Sequence, residues 1–243
     1  MGVPQRLKNP LKVTFKILRF DPERDEKPRF EPFILNVEKG MTVLNALILL
    51  KEEQDSRLAF RYSCRSGICG TCGVRAQGRS RLACETQVLD VEKNGEVLLE
   101  PLKLFPIIKD LVVDMDPMFE NLRKVQPWLV RDPAIPVPER EYQIPADENL
   151  AKLTKIDTCV LCGICYAESI TVSQDRSCID PVSLTKALRF ILDARDSLKE
   201  ARLKQLAELG LKQYRGVNES RIVCPKGIHL QKEVIRPLLE ALE

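Results

Sequence analysis

Nine cysteines stand in this chain of 243 residues, and eight of them fall into two spaced groups. The first is Cys64, Cys69 and Cys72, with Cys84 further on. The pattern C-x4-C-x2-C…C is the spacing by which plant-type ferredoxins hold a [2Fe–2S] cluster. Three thiolates from one loop must reach a compact inorganic core, so the loop has to wrap tightly. Gly67, Gly70 and Gly73 offer the backbone freedom and close approach that such a loop needs, and are taken as cofactor-binding positions. Amides freed by the wrapping can donate to the sulfurs and tune the potential. Zinc is the alternative occupant, although a zinc ribbon more often shows two separated C-x2-C pairs.

The second group is Cys159, Cys162 and Cys165, followed by a remote Cys224-Pro225. C-x2-C-x2-C with a distant Cys-Pro is the bacterial ferredoxin arrangement for a [4Fe–4S] cube. In two-cluster ferredoxins the run continues with a cysteine that ligates the other cluster. Ser169 occupies that position here. One cube therefore has a complete ligand set, and the hand-off ligand is missing. Zinc is again the competing occupant.

Composition narrows the setting. Hydrophobic residues make up 44% and the formal net charge is only +3, so no basic face is imposed. Aromatic residues are 5%, too few for base-stacking platforms, and nucleic acid is not an expected partner. No apolar run reaches the ~18 residues that suggest a membrane span. Clustered cysteines in odd number read as metal-binding rather than as a disulfide scaffold. The expectation is a cytoplasmic chain, reaching a membrane only through partner subunits.

Along the chain, Val13, Phe15 and Ile17 alternate with polar residues, which predicts a half-buried strand. Phe30 to Val37 predicts a second strand and a hairpin with the first. Thr42 is placed to cap a helix whose Val43, Leu47 and Leu50 share a face up to about Glu53. Asn94-Gly95, between Val88–Val91 and Val97–Leu99, predicts a hairpin of two strands. Pro127, Pro133, Pro136, Pro138 and Pro145 mark an irregular connector. Beyond it the spacing turns helical: Leu184, Leu188 and Ile191 behind Pro181, then Leu203, Leu206 and Leu209 ended by Gly210, then Ile235, Leu238 and Leu239 around Pro237. The fold class is α+β, with a strand-rich N-terminal half and an all-α C-terminal half.

With these residues in place, the chain resembles the iron–sulfur subunit of the succinate dehydrogenase/fumarate reductase family over nearly its whole length. The resemblance rests on Tyr62-Ser-Cys64-Arg-Ser-Gly-Ile-Cys69-Gly-Thr-Cys72-Gly, Leu82-Ala-Cys84, Ile108 to Asp114, Arg189 to Asp196 and Val223-Cys224-Pro-Lys-Gly227. It implies a β-grasp plant-type ferredoxin domain over residues 1–112, a connector over 113–145, and an all-α bacterial ferredoxin-like domain over 146–243. It also implies a flavoprotein partner carrying FAD, which exchanges electrons at the [2Fe–2S] cluster. The family's third cluster, [3Fe–4S], needs three more cysteines. The matching positions are Ser169, Ser220 and roughly Tyr214, and the family's Trp and His near a quinone site have no counterpart in Trp128 or His229.

The resulting expectation is an electron-transfer subunit with no catalytic residues of its own. Electrons would leave the [4Fe–4S] cluster for a second redox protein, with a heterodisulfide-reductase-type module as one candidate. A divergent quinone-linked subunit and a cluster-bearing interaction module without redox turnover are the alternatives. Of the remaining residues, Cys178 is expected to be an inert buried thiol, Trp128 a packing anchor, and His229 an ordinary surface or packing residue.

Overall fold

The computed structural model describes residues 10–134, 136 and 148–242. Pro138, Pro145 and the expected boundary at residue 145 lie outside the described residues. By compactness the chain divides into two units, and neither is one continuous stretch. The first comprises Met1–Met115 with Val160–Ala167; the second comprises Asp116–Cys159 with Glu168–Glu243.

The first unit is built on a sheet. Strand β1 (Leu11–Arg19) turns back through the charged loop at Asp21 to Pro28 into β2 (Arg29–Val37), paired antiparallel with Phe15 opposite Phe33. The predicted alternation holds: Val13, Phe15 and Ile17 are fully buried and the residues between them are not. Helix α1 (Val43–Glu53) follows. Thr42 Oγ1 accepts from the Asn45 amide and Asn45 Oδ1 accepts from the Thr42 amide, which closes a capping box. Val43, Leu47 and Leu50 form its buried face. Each such side chain, once buried, contributes about 1.5–3 kcal/mol relative to exposure.

Next come β3 (Gly73–Ala76) and β4 (Arg79–Leu82), joined by the two-residue turn Gln77-Gly78 with φ of +49° and +76°. Beyond them lie the short helix α2 (Val88–Val91), β5 (Glu96–Glu100), and a small ribbon of β6 (Ile107–Lys109) and β7 (Val112–Val113). The main sheet runs β2-β1-β5-β3-β4, with β1 and β5 parallel.

One expectation is corrected here. Asn94-Gly95 does form a tight turn, with φ of +54° and +78°, and Lys93 bridges Glu96. The residues before it form no strand. Val88 and Val91 are both buried, a spacing of one helical turn, and the Glu92 amide donates to Val88 O. Strand β5 finds its partners in β1 and β3 instead.

The second unit is helical. It contains α3 (Asp116–Lys124), α4 (Glu148–Asp157), α6 (Ile170–Gln174), α7 (Pro181–Ile191), α8 (Lys199–Glu208) and a terminal stretch of π-helix (Leu230–Ile235) running into α9 (Arg236–Glu240). A further short helix, α5 (Ile164–Glu168), precedes α6 in the chain. Pro181 sits in the first turn of α7 behind the N-cap Asp180, and Gly210, at φ +100°, closes α8. Pro127 stands in irregular chain, as a proline-rich connector requires. Among the described residues no helix is long and apolar enough to cross a membrane.

Candidate metal centres

The β3–β4 hairpin sets the geometry of the first cysteine group. Cys72 directly precedes β3 and Cys84 lies just beyond β4, and pairing Gly73 with Leu82 carries the two cysteines to the same end of the hairpin. The Ala83 amide donates to Cys72 O at 3.0 Å, which locks that end. The loop from Cys64 to Cys72 then wraps with Arg65, Gly67 and Gly70 in the left-handed region, at φ of +59°, +68° and +73°. Gly73 is an exception to the glycine expectation: it is an ordinary strand residue, and close approach alone explains it.

Wrapping turns the loop amides inward. Those of Ser66, Ile68 and Cys69 donate to Cys64 Sγ at 3.5, 3.3 and 3.2 Å, and that of Gly67 donates to Cys84 Sγ at 3.3 Å. Thr71 Oγ1 lies 3.2 Å from Cys69 Sγ. The Ser66 amide, followed by those of Cys69 and Ile68, pulls the Cys64 thiol down to about 6. Burial pushes Cys72 up to about 12, with Cys84 and Cys69 beside it. Sulfurs that collect backbone N–H groups fit an electron-rich sulfur ligand, because such bonds stabilise thiolate charge. Among the described residues no group of three or more His, Cys, Asp or Glu side chains is gathered to hold a metal ion. A cluster core spans several atoms, and its ligands stand correspondingly further apart than those of one ion.

The glycines also mark crowded places. A Cβ on Gly67 would run into the Glu85 carboxylate. A Cβ on Gly70 would lie 2.7 Å from Val160 O and 3.0 Å from Cys162 Cβ, and one on Gly73 would lie 3.3 Å from Cys162 O. In the first unit the two cysteine runs therefore back onto each other across glycine.

In the second run, Leu161 and Gly163 adopt φ of +55° and +75° just before α5, which carries Cys165. Gly163 is close to Phe105, whose ring stacks on Tyr166 at 4.4 Å. Cys159 ends the turn after α4: its amide donates to Ile156 O, and its carbonyl accepts from Lys186 Nζ at 3.0 Å. Cys224 opens a turn in which the Gly227 amide donates to Cys224 O at 2.9 Å.

Around the positions matched to a third cluster the chemistry is that of a hydrogen-bonded core. Ser169 is buried, caps α6 and donates to Glu219 Oε1 at 2.8 Å. Tyr214 is buried and donates to Ile179 O at 2.8 Å, and Ser220 is exposed. Cys178 is buried, with its thiol pushed up to about 12 by desolvation, as expected of an inert cysteine. His229 is exposed and caps the terminal helix, its Nδ1 accepting from the Lys232 amide at 3.4 Å. Trp128 is not a packing anchor. Its side chain is 54% exposed, and what is held is its carbonyl, by Arg202 at 2.8 Å. Sequence reasoning missed the buried ionic groups, among them Arg19, Asp110 and Glu219.

Comparison with known proteins converges on one family. Residues 14–120 match the 2Fe-2S iron-sulfur cluster binding domain. The chain is 36% identical to the succinate dehydrogenase iron-sulfur subunit of Coxiella burnetii, covering 95% of this chain and 97% of that one. It is 34% identical to the fumarate reductase iron-sulfur subunit of Mycobacterium tuberculosis, covering 89% and 87% respectively. A chain of the Mycobacterium smegmatis Sdh1 complex in the apo form shares the fold at a TM-score of 0.83, with 23% identity and 96% coverage of both chains. A sheet unit with a wrapped cysteine loop, a helical unit, and relatives matched nearly end to end place this chain in the family of succinate dehydrogenase and fumarate reductase iron–sulfur subunits.

Proposed function

We propose that this chain is the electron-carrying subunit of an oxidoreductase complex, with two clusters and no third. Cys64, Cys69, Cys72 and Cys84 would hold [2Fe–2S], with Gly67, Gly70 and Gly73 giving the loop its approach. Cys159, Cys162, Cys165 and Cys224 would hold [4Fe–4S]. When bound, the clusters supply one-electron transfer. The chain's own residues ligate and donate amide hydrogens to sulfur. Read as domains, residues 1–112 carry the first cluster, 113–145 connect, and 146–243 carry the second.

The observation that carries this reading is the set of four amides aimed at Cys64 and Cys84. Support for the second cluster is the spacing of its cysteines. Against a third stand Ser169 and Tyr214, both engaged as buried hydrogen-bond donors, and the exposed Ser220. The relatives' names carry succinate and fumarate chemistry, and the family resemblance implies an FAD flavoprotein partner. The loss of the third ligand set suggests that a protein, of which a heterodisulfide-reductase-type module is one kind, takes the place of quinone as acceptor or donor.

Iron and acid-labile sulfide analysis of the anaerobically purified chain tests this directly. Two irons plus four gives about six per chain. Nine or ten, or stoichiometric zinc, would remove the two-cluster reading, and copurification with membrane subunits would restore a quinone link.

A further inference from the structure

Glu219 is 1% exposed, yet it has no cationic partner among its hydrogen bonds. Its carboxylate instead gathers four donors from the start of α6. Oε1 accepts from Ser169 Oγ at 2.8 Å and from the Thr171 amide and Oγ1, each at 3.0 Å; Oε2 accepts from the Ile170 amide at 3.1 Å. The Glu219 amide donates in turn to Gln231 Oε1 at 2.9 Å, so the residue is fixed at both ends. Ser169 cannot easily yield: while it donates to Glu219, its oxygen caps α6 by accepting from the Val172 amide at 3.2 Å.

What this clamp joins is informative. Ser169 follows Cys165 by four residues, and Glu219 precedes Cys224 by five. A cube whose first three ligands come from one run and whose fourth is remote depends on how firmly the remote segment is returned. Otherwise, closing a loop of ~60 residues around the fourth ligand costs entropy each time it forms. We propose that Glu219 is a positioning residue for the [4Fe–4S] cluster, its buried carboxylate pinning the segment that carries Cys224 to the chain leaving Cys165. This rests on the reading that those cysteines hold the cube.

Outer groups that orient a metal's ligands typically alter metal affinity by about 10–100-fold when removed. Glu219→Ala deletes all four acceptor contacts. Glu219→Gln keeps the shape and one oxygen, but sets an –NH2 against the Ile170 amide, donor against donor. Both variants of the full chain, purified anaerobically, are compared with wild type by iron content, low-temperature EPR under dithionite, and cluster loss under a chelator.

Wild type is expected to show both EPR signals. Glu219→Ala is expected to fall from about six irons toward two, losing the cube and keeping [2Fe–2S]. Glu219→Gln is expected to lose the cube about 10-fold faster, with a shifted [4Fe–4S] midpoint potential and an unchanged [2Fe–2S] potential. That selectivity separates positioning from general support. If wild type has the cube and Glu219→Gln holds it at the wild-type rate and potential, the positioning role is overturned and the functional reading stands. If wild type itself shows no [4Fe–4S] signal, the reading falls and the role with it.

Discussion

The sheet unit and the helical unit each anchor a cysteine segment with a buried carboxylate, and they surround it with opposite partners. In the sheet unit Asp110 receives the Arg19 guanidinium at 3.0 Å together with the Phe20 and Ala59 amides, and Ala59 leads toward Cys64. Arg19 also reaches Asp55 at 2.6 Å and Glu31 at 2.9 Å, so one cation serves three carboxylates. In the helical unit Glu219 meets only hydroxyls and amides. The difference follows from what each backbone leaves unpaired. The start of α6 presents amides that no carbonyl in the helix can take, and these suit an anion. Strand β1 has most of its amides committed to pairing with β2 and β5, and charge must come from a side chain.

The two designs should therefore fail by different amounts. Asp110→Ala leaves Arg19, 5% exposed, with part of its countercharge gone and two amides without their acceptor. Breaking one side of a buried ion pair costs about 3–5 kcal/mol. Glu219→Ala removes hydrogen bonds without stranding a charge, and about 1–3 kcal/mol is expected for each buried donor that finds no other acceptor, apart from the loss of the cube. Urea unfolding of the two variants side by side checks the order, and a reversal would break the contrast. The cysteine loops allow a second contrast. Gly67 and Gly216 share the left-handed conformation, at φ of +68° and +75°, but a Cβ on Gly67 strikes Glu85 while one on Gly216 meets nothing within 4 Å. Gly216→Ala should thus cost only the conformational penalty, about 1–2 kcal/mol. Gly67→Ala meets only the far end of the exposed Glu85 side chain, which can swing aside, so its cost should be similar, at about 1–2 kcal/mol. The Gly67 variant should also weaken the [2Fe–2S] signal, since the Gly67 amide serves Cys84. Thermal unfolding followed with that signal distinguishes the two.

Much of this was legible beforehand where a local rule decides the outcome. Period-two alternation places β1, Thr42 places the start of α1, and the cysteine spacings name both ligand sets as candidates. The same alternation, carried one step beyond Ile17, points Arg19 inward, so the buried cation had a signal that went unused. Val88–Val91 was misjudged because a run of four residues with β-branched ends satisfies both periods, and only tertiary packing chooses. Trp128 was misjudged because burial was inferred from residue type alone. Glu219 had no readable signal: it sits in irregular chain, and its partners lie about fifty residues away.

Asp55 offers the finest test of the charged anchor. Burial alone would raise its carboxyl, but the Arg19 guanidinium and the Arg57 backbone and side-chain N–H groups overcome this and hold it at about 2, against an ordinary 3.8. A carboxyl depressed in the folded state contributes stability that is complete above its ordinary value and is lost as pH falls toward the folded one. Wild type should therefore lose part of its stability between pH 3.8 and about 2 through this group. Asp55→Asn keeps the size but cannot titrate. At neutral pH it should cost about 2 kcal/mol, the linkage value of holding this carboxyl at about 2 instead of 3.8. Its stability should also fall less steeply than wild type's across that acid window. Equal slopes in the two proteins would mean that Asp110 and Glu31 alone satisfy Arg19, and that the cluster is a pair with a spectator.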